Sequence, residues 1–439
     1  MKLIEVTTSG FKNLGETTIN FNNSHITSLI APNNYGKSNF LESLNFSYAF
    51  IQANPKQKKR MMEYSPAIPI NKHLDQTNFS FCVLFETIFE QTVNLVSYKF
   101  EFEWQKDKKK VGAKIISESL RLKENKANSK FTTLIKRDSN VSMYQSSLKA
   151  RCNTNISIPS NNLVINKLVN YDNLFYHSIL MDLLSLSFSI TNLMEVEPAF
   201  GAIQVFEPNS KIEDNELRDG HNISKFLFNL KKNKKNLYDL LINSVKDLIP
   251  TIELIDPVEY DLKKLSNEQK FKDVPFTLPE KLYDLRIKEL HNNQTTSVRY
   301  VSRGTKRILL VLATAIDVSE KNITLLAFEE LENSIHPNLL QKLLMILTGI
   351  VPNLKILISS HSPYLIQYLP IHSIYLGIPN NKGLSCFYKI KETKCNTIMR
   401  LAADEEATLG DYLFDLMSQK SLDTEFQNEF FEQCQCSEL

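Results

Sequence analysis

Ala31-Pro32-Asn33-Asn34-Tyr35-Gly36-Lys37-Ser38 follows the apolar run Ile26 to Ile30 and opens the segment Asn39 to Asn45, whose pattern predicts a helix. A strand, a loop closing on Gly-Lys-Ser and a helix form the context of a phosphate-binding loop. Backbone N–H groups wrap a phosphate, the helix N-terminus adds its positive dipole, and the lysine supplies a mobile charge. One position departs from that pattern: Ala31 stands where such loops carry their first glycine. The departure costs little if the backbone there avoids positive φ.

The background does not supply this glycine by chance, because the 439 residues contain only 11. With 42% hydrophobic and 23% charged residues the chain reads as a folded protein with room for two or three domains. A net charge of +2 gives no support to nucleic-acid binding over the whole surface. The local basic runs, Lys106 to Lys110 and Lys231 to Lys235, read as solvated faces. No signal peptide is apparent at the N-terminus, and the longest apolar run, Ile308 to Ile316, is about half a bilayer span. A cytoplasmic protein without membrane contact is therefore expected. Of the six cysteines only Cys434 and Cys436 lie close together, half a metal site at most.

Alternating apolar positions predict strands over Met1 to Thr8 and Glu16 to Phe21, joined through Phe11-Lys12-Asn13-Leu14-Gly15. Phe79 to Glu86 and Thr92 to Trp104 predict an antiparallel β-subdomain. Residues 105–296 are rich in Lys, Asn and Ser, with helical spacing in Tyr171 to Asn192 and Ile223 to Leu248. They are read as a largely helical insertion. From Ser297 onward helix and strand patterns alternate again.

That returning segment carries two more apolar strands. Ile323 to Phe328 runs into Glu329-Glu330, and Lys355 to Ile358 runs into Ser359-Ser360-His361-Ser362. A buried parallel strand that delivers carboxylates at its C-terminal end is where an α/β sheet places ligand chemistry. Glu329 is expected to hold Mg²⁺, directly or through water, and Glu330 to polarise an attacking water. His361 is expected to sense the γ-phosphate or that water. Upstream, Ser302-Arg303-Gly304-Thr305-Lys306-Arg307 opens an apolar helix and forms a second anion-binding N-terminus. The fold already has one phosphate loop, so the economical ligand for the second is a nucleotide on another subunit.

Taken in order, these motifs, with Glu332-Asn333-Ser334-Ile335-His336-Pro337 after the paired glutamates, resemble the ABC-type ATPases of the RecF/SMC/OLD superfamily. Within it they resemble the ATP-binding proteins of prokaryotic phage-defence and abortive-infection operons. The resemblance covers roughly residues 1–100 and 297–378. It implies an α/β fold: an ABC-ATPase head with a mixed sheet, flanking helices and an antiparallel β-subdomain. The expected division is 1–104 and 297–398 for the two parts of the head, 105–296 for the insertion and 399–439 for a C-terminal tail.

By that resemblance Asn33, Asn34, Gly36, Lys37, Ser38 and Asn39 bind ATP, with Ser38 and Glu329 on Mg²⁺. Lys12 sits where relatives often carry an arginine that touches the nucleotide. Ser302 and Gly304 form the signature that closes on the partner's γ-phosphate. Asn333 is the D-loop residue, Glu330 the catalytic base and His361 the switch histidine. Glu329 replaces the usual Asp, which lengthens the arm to the metal by one methylene. Gln76 and Gln91 are both candidates for the Q-loop.

The implied function is an ATPase whose nucleotide-driven homodimer, or larger assembly, controls a nuclease or toxin. OLD relatives carry a Toprim nuclease after the ATPase. No Asp-x-Asp pair near a strand follows His361, so the effector is expected in trans. A RecF-like repair ATPase that engages DNA and a non-hydrolysing, ATP-dependent scaffold are the alternatives. The tail offers a candidate partner face, Leu409, Tyr412, Leu413, Leu416 and Met417, against the alternative that it packs on its own core.

Overall fold

The structure is a computed structural model that describes residues 1–22, 24–75, 77–105, 112–139, 141–192, 223–261, 281–378, 382–418 and 424–432. The basic run Lys106 to Lys110, Gln76 and the Cys434/Cys436 pair lie outside the described residues. Strands β1 (Lys2–Ser9), β2 (Thr17–Asn20) and β3 (Ile26–Ile30) precede the helix Lys37–Gln52. After it come β4 (Phe79–Phe89), β5 (Thr92–Glu103), β6 (Lys114–Glu124), β7 (Thr132–Arg137), β8 (Ser142–Gln145), β9 (Cys152–Asn155) and β10 (Phe188–Asn192). Strands β11 (Ile252–Asp261), β12 (Lys281–Glu289) and β13 (Thr296–Ser297) follow. The last four are β14 (Leu325–Glu329), β15 (Lys355–Ser360), β16 (Ile374–Gly377) and β17 (Phe387–Lys389).

The chain divides into two compact units, the first comprising residues 1–190, 322–327 and 353–439. Its larger sheet has the order β2-β1-β4-β5-β6-β7-β8-β9, antiparallel throughout. Strict alternation along β4 turns Phe79, Phe81, Val83 and Phe85 inward, and β5 does the same with Tyr98, Phe100 and Phe102. The helix Lys37–Gln52 lays Phe46 and Phe50 on this aromatic face: Phe50 stacks on Phe102 at 5.0 Å and Phe79 on Phe102 at 4.9 Å. On its other side Phe40 meets Phe387 of the second sheet at 6.4 Å. That sheet has the order β10-β14-β15-β3-β16-β17. Strands β15, β3 and β16 run parallel and β17 antiparallel. All five residues of β3 are buried, as a strand covered on both faces requires.

The second unit comprises residues 191–321 and 328–352. Within it the helices Ile223–Asn233 and Lys235–Leu248 pack on the hairpin β11–β12, and Tyr238 donates to the Ile255 carbonyl at 2.7 Å. The helix Arg303–Ser319 is buried without interruption from Thr305 to Val318 and packs on Lys235–Leu248 and Pro337–Ile350.

The mixed α/β architecture is as expected, but the stretch 105–296 is not largely helical: seven strands and four helices occupy its described residues, apart from the start of β13. Strands β6 to β9 continue the antiparallel sheet across the boundary placed at 104/105. The alternation in β6 is masked because an inward position is charged. Glu118 lies fully buried and accepts from the Val164 and Ile165 N–H groups at 2.6 and 3.1 Å, with Tyr98 donating at 3.2 Å. In the tail, Tyr412, Leu413, Leu416 and Met417 of the helix Leu409–Ser418 are buried in their own unit, against Pro363–Ile366. Packing on its own core, the alternative reading, is the one found.

Beneath the phosphate-loop helix sits Lys58, fully buried, whose ammonium donates to the carbonyls of Ile51 (3.3 Å) and Ala53 at that helix's C-terminus. Burial lowers its pKa to about 8, against 10.5 for an ordinary lysine, despite the Glu118 carboxylate. Between those values the unfolded chain binds the proton and the folded chain does not, so stability rises with pH across about 8 to 10.5. Lys58→Met should remove that rise. Urea unfolding at several pH values, compared between the two proteins, reads it out, and parallel pH profiles would show that Lys58 does not titrate in this window.

Candidate functional site

The phosphate loop leaves β3 where the sheet is fully paired. Ile30 stands opposite Ser360 of β15 and Leu376 of β16, and the Ala31 N–H donates to the Ser360 carbonyl at 3.3 Å. Ala31 is fully buried and keeps ordinary φ, so the missing first glycine causes no backbone strain. Its methyl instead occupies room left by Gly377: a Cβ at Gly377 would come within 2.5 Å of both the Ala31 Cβ and the Tyr35 ring. The left-handed positions lie further on, at Asn34 (φ 59°) and Gly36 (φ 125°).

Six hydrogen bonds centred on Tyr35 and Asn13 hold the loop's shape. The Tyr35 hydroxyl is shared between the carbonyls of Ile378 (2.8 Å) and Cys386 (2.7 Å) and accepts from the Cys386 N–H at 2.9 Å. The Tyr35 carbonyl accepts from the Asn13 amide at 3.0 Å and from the Ser385 hydroxyl. Asn13 in turn accepts from the Asn39 amide at 2.7 Å. Gly36 caps the helix Lys37–Gln52, whose first-turn N–H groups have no partner within the helix. Lys37 folds back over the loop and donates to the carbonyls of Ala31 (2.7 Å) and Pro32 (3.1 Å). Asn33, Asn34 and Ser38 are exposed. The result is a backbone cradle closed by a lysine, which fits a chain of phosphates.

Lys12 lies beside this cradle in the left-handed conformation (φ 53°), and its ammonium pairs with Glu42, one turn beyond Ser38 on the helix. His361 follows Ser360, whose carbonyl receives the Ala31 N–H, so the first unit brings His361 to the start of the loop. Lys12, Asn33, Asn34, Gly36, Lys37, Ser38, Asn39 and His361 thus share the first unit. Gln91 is a turn residue (φ 63°) at the tip of the β4–β5 hairpin, which explains that glutamine as hairpin chemistry.

The remaining candidates belong to the second unit. Glu329 ends β14 buried. Glu330 is left-handed (φ 52°), its carboxylate accepts from the Asn333 amide, and its carbonyl accepts from both the Asn333 N–H (3.1 Å) and the Arg307 guanidinium. Ser302 caps the helix Arg303–Ser319: its hydroxyl accepts from the Thr305 N–H at 3.1 Å, and the residue is exposed. Gly304 passes close to the turn after β14, where a Cβ would sit 2.6 Å from the Ser334 carbonyl. Burial lowers Arg307 to about 10, against the opposing pull of Glu332 and Glu330, so it stays charged at neutral pH.

Ser38 in the first unit and Glu329 in the second each carry a hard oxygen donor of the kind Mg²⁺ takes. Among the described residues no group of three His, Cys, Asp or Glu side chains gathers as a metal site of its own. The residues that sequence reasoning passed over are Asn13, Tyr35, Ser385 and Arg307. Asn13 and Arg307 lie inside segments already singled out, whereas Ser385 has no local signal.

Gly36→Ala should weaken binding of a fluorescent ATP analogue by about tenfold or more, since alanine resists φ 125° and its Cβ would overlap the Ser385 hydroxyl. Unchanged affinity in that titration would mean the cradle is not where the phosphates sit.

Solved structures resemble this chain distantly. An SMC head bound to the C-winged helix domain of ScpA gives a TM-score of 0.47 at 10% identity, over 90% of this chain and 99% of that one. The SMC head domain from Thermotoga maritima gives 0.37 at 10% identity, over 89% and 100%. An Smc head with an extended coiled coil, bound to the C-terminal domain of ScpA derived from Pyrococcus furiosus, gives 0.40 at 11% identity, over 92% and 99%. Comparison with curated proteins finds no match. Residues 1–366, most of the chain, match the family described as an AAA ATPase domain, and the protein belongs to that family.

Proposed function

We propose that this protein binds ATP with Mg²⁺, hydrolyses it to ADP and phosphate, and uses the cycle to join and release two copies of itself. The observation that carries the reading is the cradle at Gly36, shaped by Tyr35, Asn13 and Ser385 and closed by Lys37. Lys37 moves from the loop carbonyls to the β- and γ-phosphates, which are stronger acceptors for an ammonium. Ser38 and Glu329 would hold Mg²⁺, which would supply charge neutralisation for the phosphates. Glu330 takes the proton of the attacking water, and Asn333, bonded to its carboxylate, fixes the direction in which that carboxylate faces. His361 donates to the γ-phosphate from the end of β15.

Ser302 is exposed at the start of a long buried helix and supplies a second anion site. We assign it, with Gly304, to the γ-phosphate held by the other copy, so each nucleotide is bound from both sides. The joined state is the signal read by an effector protein in trans, a nuclease or toxin of anti-phage defence. This last step rests on the resemblance of the motifs to the ATP-binding proteins of phage-defence operons.

Lys37→Ala should lose binding of a fluorescent ATP analogue, because it removes the mobile cation of the cradle. Glu330→Gln keeps shape and hydrogen-bonding reach but removes the base, so hydrolysis should fall by about a hundredfold or more. ATP then persists and light scattering should show a lasting pair, twice the mass of the nucleotide-free protein. Glu329→Gln should instead weaken Mg²⁺-dependent binding and trap nothing. A wild type without ATPase activity, unchanged by Glu330→Gln, would make the protein a scaffold; an active Glu330→Gln would place the base elsewhere.

A further inference from the structure

Arg307 closes the Ser302–Arg307 motif but is built for a different task from anion capture. Arg303 at the same helix start is exposed, whereas Arg307 is 2% exposed. Its guanidinium donates to the Glu330 carbonyl and lies in the field of the Glu330 and Glu332 carboxylates. One turn earlier Gly304 lets the same helix approach the Ser334 carbonyl closely. The first turns of Arg303–Ser319 therefore touch the turn Glu330–Ser334 at two points, one a charged hydrogen bond and one a close backbone approach. Glu330 and Ser334 are both left-handed (φ 52° and 61°), so this turn has little freedom to follow a displacement gradually.

We infer that Arg307 is a positioning residue that couples the two nucleotide sites of an ATP-joined pair. It ties the signature turn, which engages the other copy's nucleotide, to the carboxylate turn that serves its own copy. This rests on the proposed function, in which Ser302 acts across the pair and Glu330 within its own copy. A shift of Ser302 and Gly304 onto a phosphate moves Arg307 with the helix. Its bond then either carries the Glu330 carbonyl along or is lost inside the fold, where a hydrogen bond from a charged group is costly to give up. Glu330 reaches its working position only when the signature is engaged, so hydrolysis is cooperative in ATP.

The test is steady-state ATPase rate against ATP concentration, with analogue binding measured alongside, for wild type, Arg307→Lys and Arg307→Gln. The wild type should show a Hill coefficient well above about 1, and Arg307→Gln should bring it to about 1. Its kcat should fall between about tenfold and a hundredfold while analogue affinity stays within about twofold. Arg307→Lys, which keeps the charge, should recover part of both losses. If Arg307→Gln does not fold, Arg307→Lys carries the test: it loses the planar donor geometry and must lower the Hill coefficient below that of the wild type while analogue affinity stays within about twofold. Variants that melt earlier yet keep full cooperativity would reduce Arg307 to a structural charge and overturn the coupling. A non-cooperative, active wild type overturns the coupling alone. A wild type that never hydrolyses ATP overturns the proposed function and the coupling with it.

Discussion

The phosphate cradle depends on Tyr35. Its backbone carbonyl is held by Asn13 and Ser385, and its hydroxyl is buried among Ile378 and Cys386. The loop is therefore held by residues that lie far apart in the chain, brought together only where β15, β3 and β16 lie side by side. Closing so long a connection is entropically costly and is repaid only once the parallel strands and their helices are in place. The cradle is in that sense a product of the complete sheet. Its N–H groups are pre-aimed because the sheet leaves the backbone no other path, and the ligand need not supply that order.

How much of this was legible follows from where the information sits. β14 and β15 are short, mostly apolar runs that end in polar chemistry, and β3 is a short run that leads into the Gly-Lys-Ser loop; that pattern has few other readings. The helix after the loop and the hairpin β4–β5 were equally plain, because period and turn agreed. Glu118 defeated the same logic in β6. A carboxylate at an inward position reads as a surface residue unless one knows that it caps the start of Val164–Leu168. Ser385 was illegible for a related reason. A serine just before the short strand β17 carries no local signal, and its value comes wholly from a partner early in the chain. Gly377 explains why Ala31 is tolerated, yet the two are related only through space.

Gly304 shows that a motif can serve two demands with one residue. As part of Ser302–Arg307 it reads as an anion-binding turn, which wants no side chain in the ligand's way. In the fold it also faces the Ser334 carbonyl, which wants no side chain either. A substitution there confounds ligand contact with contact to the acidic turn. Ser302 is simpler to interpret, because its hydroxyl caps the helix and the residue faces solvent.

Left-handed residues recur where chemistry is expected: Lys12, Asn34 and Gly36 around the cradle, Glu330 and Ser334 in the acidic turn. Each non-glycine residue in that region carries a conformational cost of about 1 kcal/mol or more. Such a cost persists only where neighbours over-determine the geometry, and here the neighbours can be named. Glu42 pairs with Lys12, and Arg307 and Asn333 hold both ends of Glu330. The hairpin residues Glu90 and Gln91 adopt the same conformation for a different reason, since a two-residue turn between twisted strands demands it. What separates the two cases is the restraint: the hairpin turn needs only its own backbone, whereas Glu330 is also held by the Arg307 guanidinium, which comes from another element. Arg307 fixes the Glu330 backbone from outside the turn, and the Asn333 amide fixes its carboxylate from within it, so backbone and side chain are restrained separately.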